Sequence, residues 1–229
     1  MNTYLRPTAP IATDALLPSD PGVAMRLAQA LTESPLMANH HHGLWGYSGR
    51  TAEGRELTIQ STGIGGPSAA AVLGELAAHG VRRAIRLGTA TALDPTLAGS
   101  VVVAGSALAR DGTSRAHGAE AQVAADAALT AALSAAIGRP PAIVASADLA
   151  VAPASAQAEA LRDAGAVAAD LETAALLAAS RTTGVALAAA VIVCSPQAPA
   201  AESLDAALIE LGRACAGALA GVEATADVG

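Results

Sequence analysis

The sequence predicts an α/β fold, a sheet wrapped by helices, because apolar runs rich in Val, Ile and Leu alternate with Ala-rich stretches of helical period. Two further observations shape that expectation. A length of 229 residues suits one domain with one sizeable core, here spanning 1–229. The apolar fraction is 52% but aromatics are only 1%, so Ala, Val, Leu and Ile must fill the interior and the helices must approach closely.

In chain order, the Ala- and Leu-bearing stretch Val23 to Glu33 reads as a helix, and Leu57 to Thr62 as the first strand. Between these two elements, Ala52-Glu53-Gly54-Arg55 forms a hairpin-like polar connection. Ser68 to His79 is helical, opened by Pro67, which suits a first helical turn. Strands follow at Val81 to Leu87 and Val101 to Ser106, with a turn at Asp111-Gly112-Thr113. The alanine-rich segment Ala121 to Ile137 is a helix, Ala142 to Ala147 a strand, and Leu171 to Thr182 a helix. The apolar run from Gly184 to Cys194 is about half of the roughly 20 residues a bilayer span needs, so Val185 to Val193 is a buried strand. Leu204 to Leu219 closes the chain as a helix, and no fixed period argues for a solenoid.

Charge excludes several function classes. The formal net charge is -7, and all 13 basic side chains are arginine, since the chain contains no lysine. Such a surface offers no footprint for nucleic acid and no polybasic patch for a membrane. A small-molecule site or a protein partner is the better expectation. Cys194 and Cys215 fit neither a disulfide framework nor a zinc pattern, and the N-terminus lacks a signal-peptide layout, which together read as a cytoplasmic protein.

The first motif is Ser61-Thr62-Gly63-Ile64-Gly65-Gly66-Pro67-Ser68, a glycine loop between a predicted strand and a predicted helix. Glycines permit close backbone approach, and a helix N-terminus attracts an anion. Ser68 stands where a dinucleotide fingerprint has its third glycine, which weakens a Rossmann reading. Taken alone, the loop reads equally as a tight turn that binds nothing.

The stretch from Ser61 to Gly112, including Ile85-Arg86-Leu87-Gly88-Thr89 and Leu97 to Val103, closely resembles the nucleoside phosphorylase family, uridine phosphorylase and its bacterial relatives in particular. Leu17-Pro18-Ser19-Asp20-Pro21 is similar to the family's Pro-Gly-Asp-Pro opening, and His41 to Tyr47 resembles its segment that reaches a neighbouring subunit. Asp170-Leu171-Glu172-Thr173 lines up with the family's Glu-Met-Glu ribose motif, and Val191-Ile192-Val193 with the strand that ends at the base side.

The resemblance implies a central mixed β-sheet or distorted barrel flanked by helices, assembled as homodimers or hexamers with sites near the subunit interface. It also implies cleavage of an N-glycosidic bond, with a nucleoside and phosphate as substrates, phosphate as co-substrate and no cofactor or metal. Residue by residue, Arg86, Thr89, Ser19 and His42 match phosphate-binding positions. Glu172, with Leu171 and Asp170, matches the ribose site; Thr91, Ala150 and Cys194 the base pocket; Glu172 and Ser195 the catalytic positions. A guanidinium offers a planar fork to phosphate oxygens, although Arg86 also reads as a surface ion pair and Glu172 as a first-turn glutamate favouring the helix dipole.

Departures from the family pattern concentrate where chemistry would occur. Val23 stands for a phosphate-binding arginine, Ser19 for a glycine, His42 for an arginine offered across the interface, Thr91 for a glycine and Tyr4 for a histidine. Ala150 and Val151 replace aromatics that cover the base, and Cys194-Ser195 replaces a pair that handles the leaving base. Two lost arginines would weaken phosphate binding by about 3 to 6 kcal/mol. Three readings stay open: a phosphorylase with altered substrate, a weak or inactive homologue that binds nucleoside or phosphate, and a nucleosidase using water. The adjacent His40, His41 and His42 cannot all converge on one ion from a regular strand, so no metal site is expected there.

Overall fold

The computed structural model describes residues 4–194 and 201–222. Its strands are β1 (Asp14–Leu17), β2 (Glu33–Asn39), β3 (Gly46–Arg50), β4 (Glu56–Gln60), β5 (Arg83–Ala92), β6 (Val101–Arg110), β7 (Gln122–Ala124), β8 (Pro141–Ala147), β9 (Ala166–Asp170) and β10 (Ala186–Cys194). The helices are α1 (Pro21–Leu31), α2 (Gly66–Ala78), α3 (Gly112–Ala116), α4 (Ala127–Ile137), α5 (Ala156–Asp163), α6 (Thr173–Thr183) and α7 (Ala201–Gly221).

Five strands close on themselves in the order β5, β10, β6, β8, β9 and back to β5, a mixed barrel with β1, β4, β3 and β2 extending from β5. Pairings β5–β10, β6–β8 and β8–β9 are parallel, whereas β6–β10 and β5–β9 are antiparallel. The α/β class and the distorted barrel expected from the sequence are therefore present.

Why a chain with so few aromatics packs this way is visible along β10. Leu187, Ala189, Val191 and Val193 face a cluster shared with α2 and α6, while Ala188, Ala190 and Ile192 face α1, α4 and α7. Alternation with period two lets one strand serve two layers. Alanines on both faces bring helices close. At Gly66 a Cβ would lie 2.9 Å from the Ala175 Cβ, so α2 and α6 touch there only because the position is glycine.

Several sequence-derived boundaries are corrected. The helix expected through Glu33 ends at Leu31, and Glu33 instead begins β2. Residues 122–124 of the expected helix Ala121 to Ile137 form β7, paired with β6, because Asp126 caps a helix starting only at Ala127 and accepts from the Leu129 N–H at 2.9 Å. The expected turn at Asp111-Gly112-Thr113 opens α3, with Asp111 accepting from the Ser114 N–H at 2.7 Å. Strands β1, β2, β3 and β9 and helix α5 were not anticipated.

Strand β1 carries a buried carboxylate between β4 and β5. Asp14 accepts from Arg83 Nε at 2.8 Å and Nη2 at 2.7 Å, and from Arg55 Nη2 at 3.2 Å. The remaining arms of Arg83 and Arg55 donate to the Val222 and Ala220 carbonyls, tying the C-terminal end of α7 to the sheet. Removing one partner of a buried pair strands the other, so Asp14→Ala is expected to destabilise the fold by about 3 to 5 kcal/mol. A urea-denaturation midpoint within error of the parent would show that this cluster does not hold the helix.

Candidate active site

The site forms where β5, β9 and β10 end and where the loops after β1 and β4 come alongside. A cavity of about 320 Å³ is lined by Ser19, Ile64, Thr89, Ala90, Thr91, Ala150, Val151, Ala169, Asp170, Leu171, Glu172 and Cys194. Nine of the residues singled out from the sequence thus line this cavity: Ser19, Thr89, Thr91, Ala150, Val151, Asp170, Leu171, Glu172 and Cys194. A larger cavity of about 540 Å³ lies against α7 and the β3–β4 turn, but its buried carboxylate, Asp14, is already paired with arginines.

Asp170 ends β9 and organises the start of α6. Its Oδ1 accepts from the N–H groups of Glu172 at 3.3 Å and Thr173 at 3.2 Å and from Ser146 Oγ at 2.5 Å; its Oδ2 accepts from the Thr173 hydroxyl. Ser146, on β8, in turn accepts from the Ala174 N–H at 2.8 Å. Orphan donors at a helix start need such acceptors. Asp170 therefore sets the position of the residues that follow it, Glu172 among them.

Arg86 projects from β5 into this same cluster and is only 2% exposed. Its Nη2 meets Glu172 Oε2 at 2.6 Å and Asp170 Oδ2 at 3.0 Å. Glu172 Oε1 accepts from the Gly65 N–H at 2.8 Å, so the carboxylate bridges the glycine loop and the guanidinium. Arg86 Nε and Nη1 find no hydrogen-bond partner among the described residues. Space for Nη1 exists because position 88 is glycine, where a Cβ would lie 2.8 Å away. Thr89, by contrast, points outward from β5 into the cavity and is exposed.

Two of the sequence-derived residues, His42 and Ser195, are not among the described residues lining the cavity. His42 is exposed in a turn at φ 55°, with its ring centroid 5.1 Å from that of His41 and 5.8 Å from that of Tyr4, and does not line the cavity of this chain. Ser195 lies outside the described residues. Cys194 does line the cavity, but burial pushes its thiol above the ordinary range, so it stays protonated at neutral pH. No group of three or more His, Cys, Asp or Glu is placed to hold a metal ion among the described residues, and no described helix is long and apolar enough to cross a membrane.

Sequence reasoning missed Ile64, Ala169 and the Ser146 bridge. Ile64, 80% exposed at the tip of the glycine loop, is an apolar residue placed at the cavity mouth. Its signal was available: an isoleucine among three loop glycines has no core to enter. Ser146 carried no signal, since a serine in an apolar strand is read from sequence only as a weak spot in that strand.

Comparison with known proteins adds a family. A model of the phosphorylase superfamily matches residues 13–222. The chain is similar to guanosine phosphorylase of Halorubrum lacusprofundi, 39% identical over 102 residues, covering 44% of this chain and 42% of that one. It is also similar to a DeoD-type purine nucleoside phosphorylase of Clostridium perfringens, 41% identical over 81 residues (35% of this chain, 34% of the relative). Uridine phosphorylase of Treponema pallidum is 38% identical over 101 residues (44% and 38%). These matches span less than half the length of each relative.

Ser146 tests how the cluster is held. Replacing it with alanine leaves the Ala174 N–H and one Asp170 oxygen short of a buried partner, which costs about 1 to 3 kcal/mol. Thermal unfolding of Ser146→Ala is expected to show that loss; an unchanged midpoint would mean that another group takes over the bridge.

Proposed function

Because the chain belongs to the phosphorylase superfamily, whose model matches residues 13–222, we propose that it is a nucleoside phosphorylase, a pentosyl-transferring enzyme that cleaves the N-glycosidic bond of a nucleoside with phosphate. The observation that carries this reading is that Thr89 and Glu172 line one cavity and that Glu172 joins it to the buried Arg86 and to the Gly65 N–H of the glycine loop.

In such a reaction phosphate attacks the anomeric carbon as the base departs, and positive charge develops on the sugar between an anionic nucleophile and the leaving group. The protein has to orient the anion, hold the ribose hydroxyls and receive the base. Arg86 and the Thr89 hydroxyl serve phosphate, with Ser19 at the edge of the same cavity. Glu172 accepts from the ribose hydroxyls, and Leu171 with Asp170 flank the sugar. Thr91, Ala150 and Cys194 border the base, and Ser195 follows directly in sequence as a hydrogen-bond donor to it. Assembly as a homodimer or hexamer, with His42 offered to a neighbour's site, belongs to the same reading, as does a cytoplasmic location.

A second reading, a chain that binds a nucleoside or phosphate with little turnover, is favoured by one observation. Among the described residues, the base side holds Thr91, Ala150 and Cys194, and burial raises the Cys194 thiol further from neutral pH, which leaves it a poor proton donor. General acid help contributes about 10² to 10⁴ in rate. Base release measured across purine and pyrimidine nucleosides separates the readings. Phosphate-dependent release lost in Arg86→Ala and in Glu172→Ala supports the phosphorylase; release without phosphate points to a nucleosidase. Ligand-induced thermal stabilisation without any release supports the binder.

Val23 lies in the first turn of α1, where its N–H donates to Asp20 at 2.7 Å. Placing a forked donor there adds a charged hydrogen bond worth about 1.5 to 3 kcal/mol. Val23→Arg is therefore expected to tighten phosphate binding roughly 10- to 100-fold in isothermal titration. Affinity equal to the parent would put the phosphate elsewhere.

A further inference from the structure

We propose that Glu172 occupies the anion position of its own site as an exchangeable stand-in, so that phosphate and a ribose-bearing ligand bind with positive cooperativity, each completing the displacement of this carboxylate; the proposal rests on the phosphorylase reading above.

The geometry starts from the guanidinium. An arginine presents an anion with two forked edges, Nε with Nη2 and Nη1 with Nη2. Nη2 is common to both edges. In this chain Nη2 is the nitrogen taken by carboxylates, Glu172 at 2.6 Å and Asp170 at 3.0 Å, while Nε and Nη1 are left without partners among the described residues although Arg86 is 2% exposed. Any oxyanion that takes a forked grip on Arg86 must share or displace a carboxylate at Nη2.

The two carboxylates differ in how firmly they are held. Asp170 also accepts from the hydroxyls of Ser146 and Thr173 and from two backbone N–H groups, which fix it as the permanent counter-ion that positions Arg86. Glu172 has two contacts beyond its own backbone, Arg86 Nη2 and the Gly65 N–H at 2.8 Å, immediately before the 13-residue helix α2. Those are a cation and a glycine-loop N–H next to a helix N-terminus, the donor set that suits an oxyanion. Glu172 is the one that yields.

Charge explains the coupling. One guanidinium faces two carboxylates, so the closed cluster carries net negative charge and repels phosphate. Once displaced, Glu172 loses both donors, and a buried carboxylate without partners is unfavourable. A vicinal diol in the adjacent cavity supplies two replacement donors, because Glu172 already lines that cavity. Whichever ligand arrives first lowers the cost for the second, and linkage makes the effect reciprocal.

Isothermal titration of inorganic phosphate into the full chain tests this, with and without saturating C-nucleosides, one purine-like and one pyrimidine-like. Their carbon–carbon glycosidic bonds do not break during the titration. Phosphate affinity is expected to rise about 10-fold with the C-nucleoside present, within the usual range of coupling. Glu172→Gln keeps the shape but removes the competing charge. It is expected to bind phosphate alone about 10-fold more tightly than the parent, with the response to the C-nucleoside lost. Parent-like or weaker affinity in a folded Glu172→Gln chain, or independent binding in the parent, overturns the inference. If the parent still releases base with phosphate under those outcomes, the phosphorylase reading survives; if it neither binds phosphate nor releases base, both fall together.

Discussion

The candidate site depends on one buried guanidinium. Arg86 sits inside the protein at 2% exposure, and its position satisfies or constrains almost everything around it: Asp170 at the end of β9, Glu172 at the start of α6, the glycine loop through Glu172, and the missing side chain at Gly88. A cation this deep is tolerable only next to counter-charges. The barrel supplies them by closing β9 against β5, which brings the Asp170-Leu171-Glu172 segment across from Arg86. Closure of the sheet and formation of the site are therefore the same event.

Small side chains make that closure possible. Alanine dominates one face of β10 and much of α6, and the glycine at position 66 lets α2 lie against α6 and α3 with no Cβ between them. Since α2 follows directly on the glycine loop, its depth in the fold determines where the Gly65 N–H points. Bulkier residues at this contact would lift α2 and draw the loop away from Glu172. The scarcity of aromatics, which in the sequence reads only as a compositional oddity, becomes a geometric requirement at the site.

Much of this was legible in the sequence, and the unread parts share a physical cause. The five long apolar strands and the Ala-rich helices announce themselves by period, and the residues Thr89, Asp170, Leu171, Glu172 and Cys194, singled out by the family resemblance, line one cavity. Strands β1, β2 and β3 escaped because their stability comes from pairing across the sheet: Asp14 in β1 is polar but buried by Arg83, and the edge strand β2 leaves Leu36 and Met37 exposed. Likewise Arg86 was read as a phosphate ligand or a surface ion pair. Sequence could show that it lies near the end of an expected strand, but not that two carboxylates, one ending β9 and one capping α6, would close on it. The Ser146 to Asp170 bridge joins residues 24 apart and had no local pattern to reveal it.

The same physics decides which residues carry functional weight. Arg86 cannot be lost without leaving Asp170 and Glu172 buried and unpaired, a heavy penalty, so its presence is explained by stability before any ligand is considered. Positions such as Val23 and His42, half-buried or exposed at the surface, carry no such penalty. The informative residue is then one that the fold does not require. Thr89 is exposed at the end of a buried strand, with its side chain in the cavity and the close-packed Gly88 beside it. A hydroxyl there adds little to packing, so its place in the same cavity as Glu172 speaks for a ligand more directly than the buried arginine does.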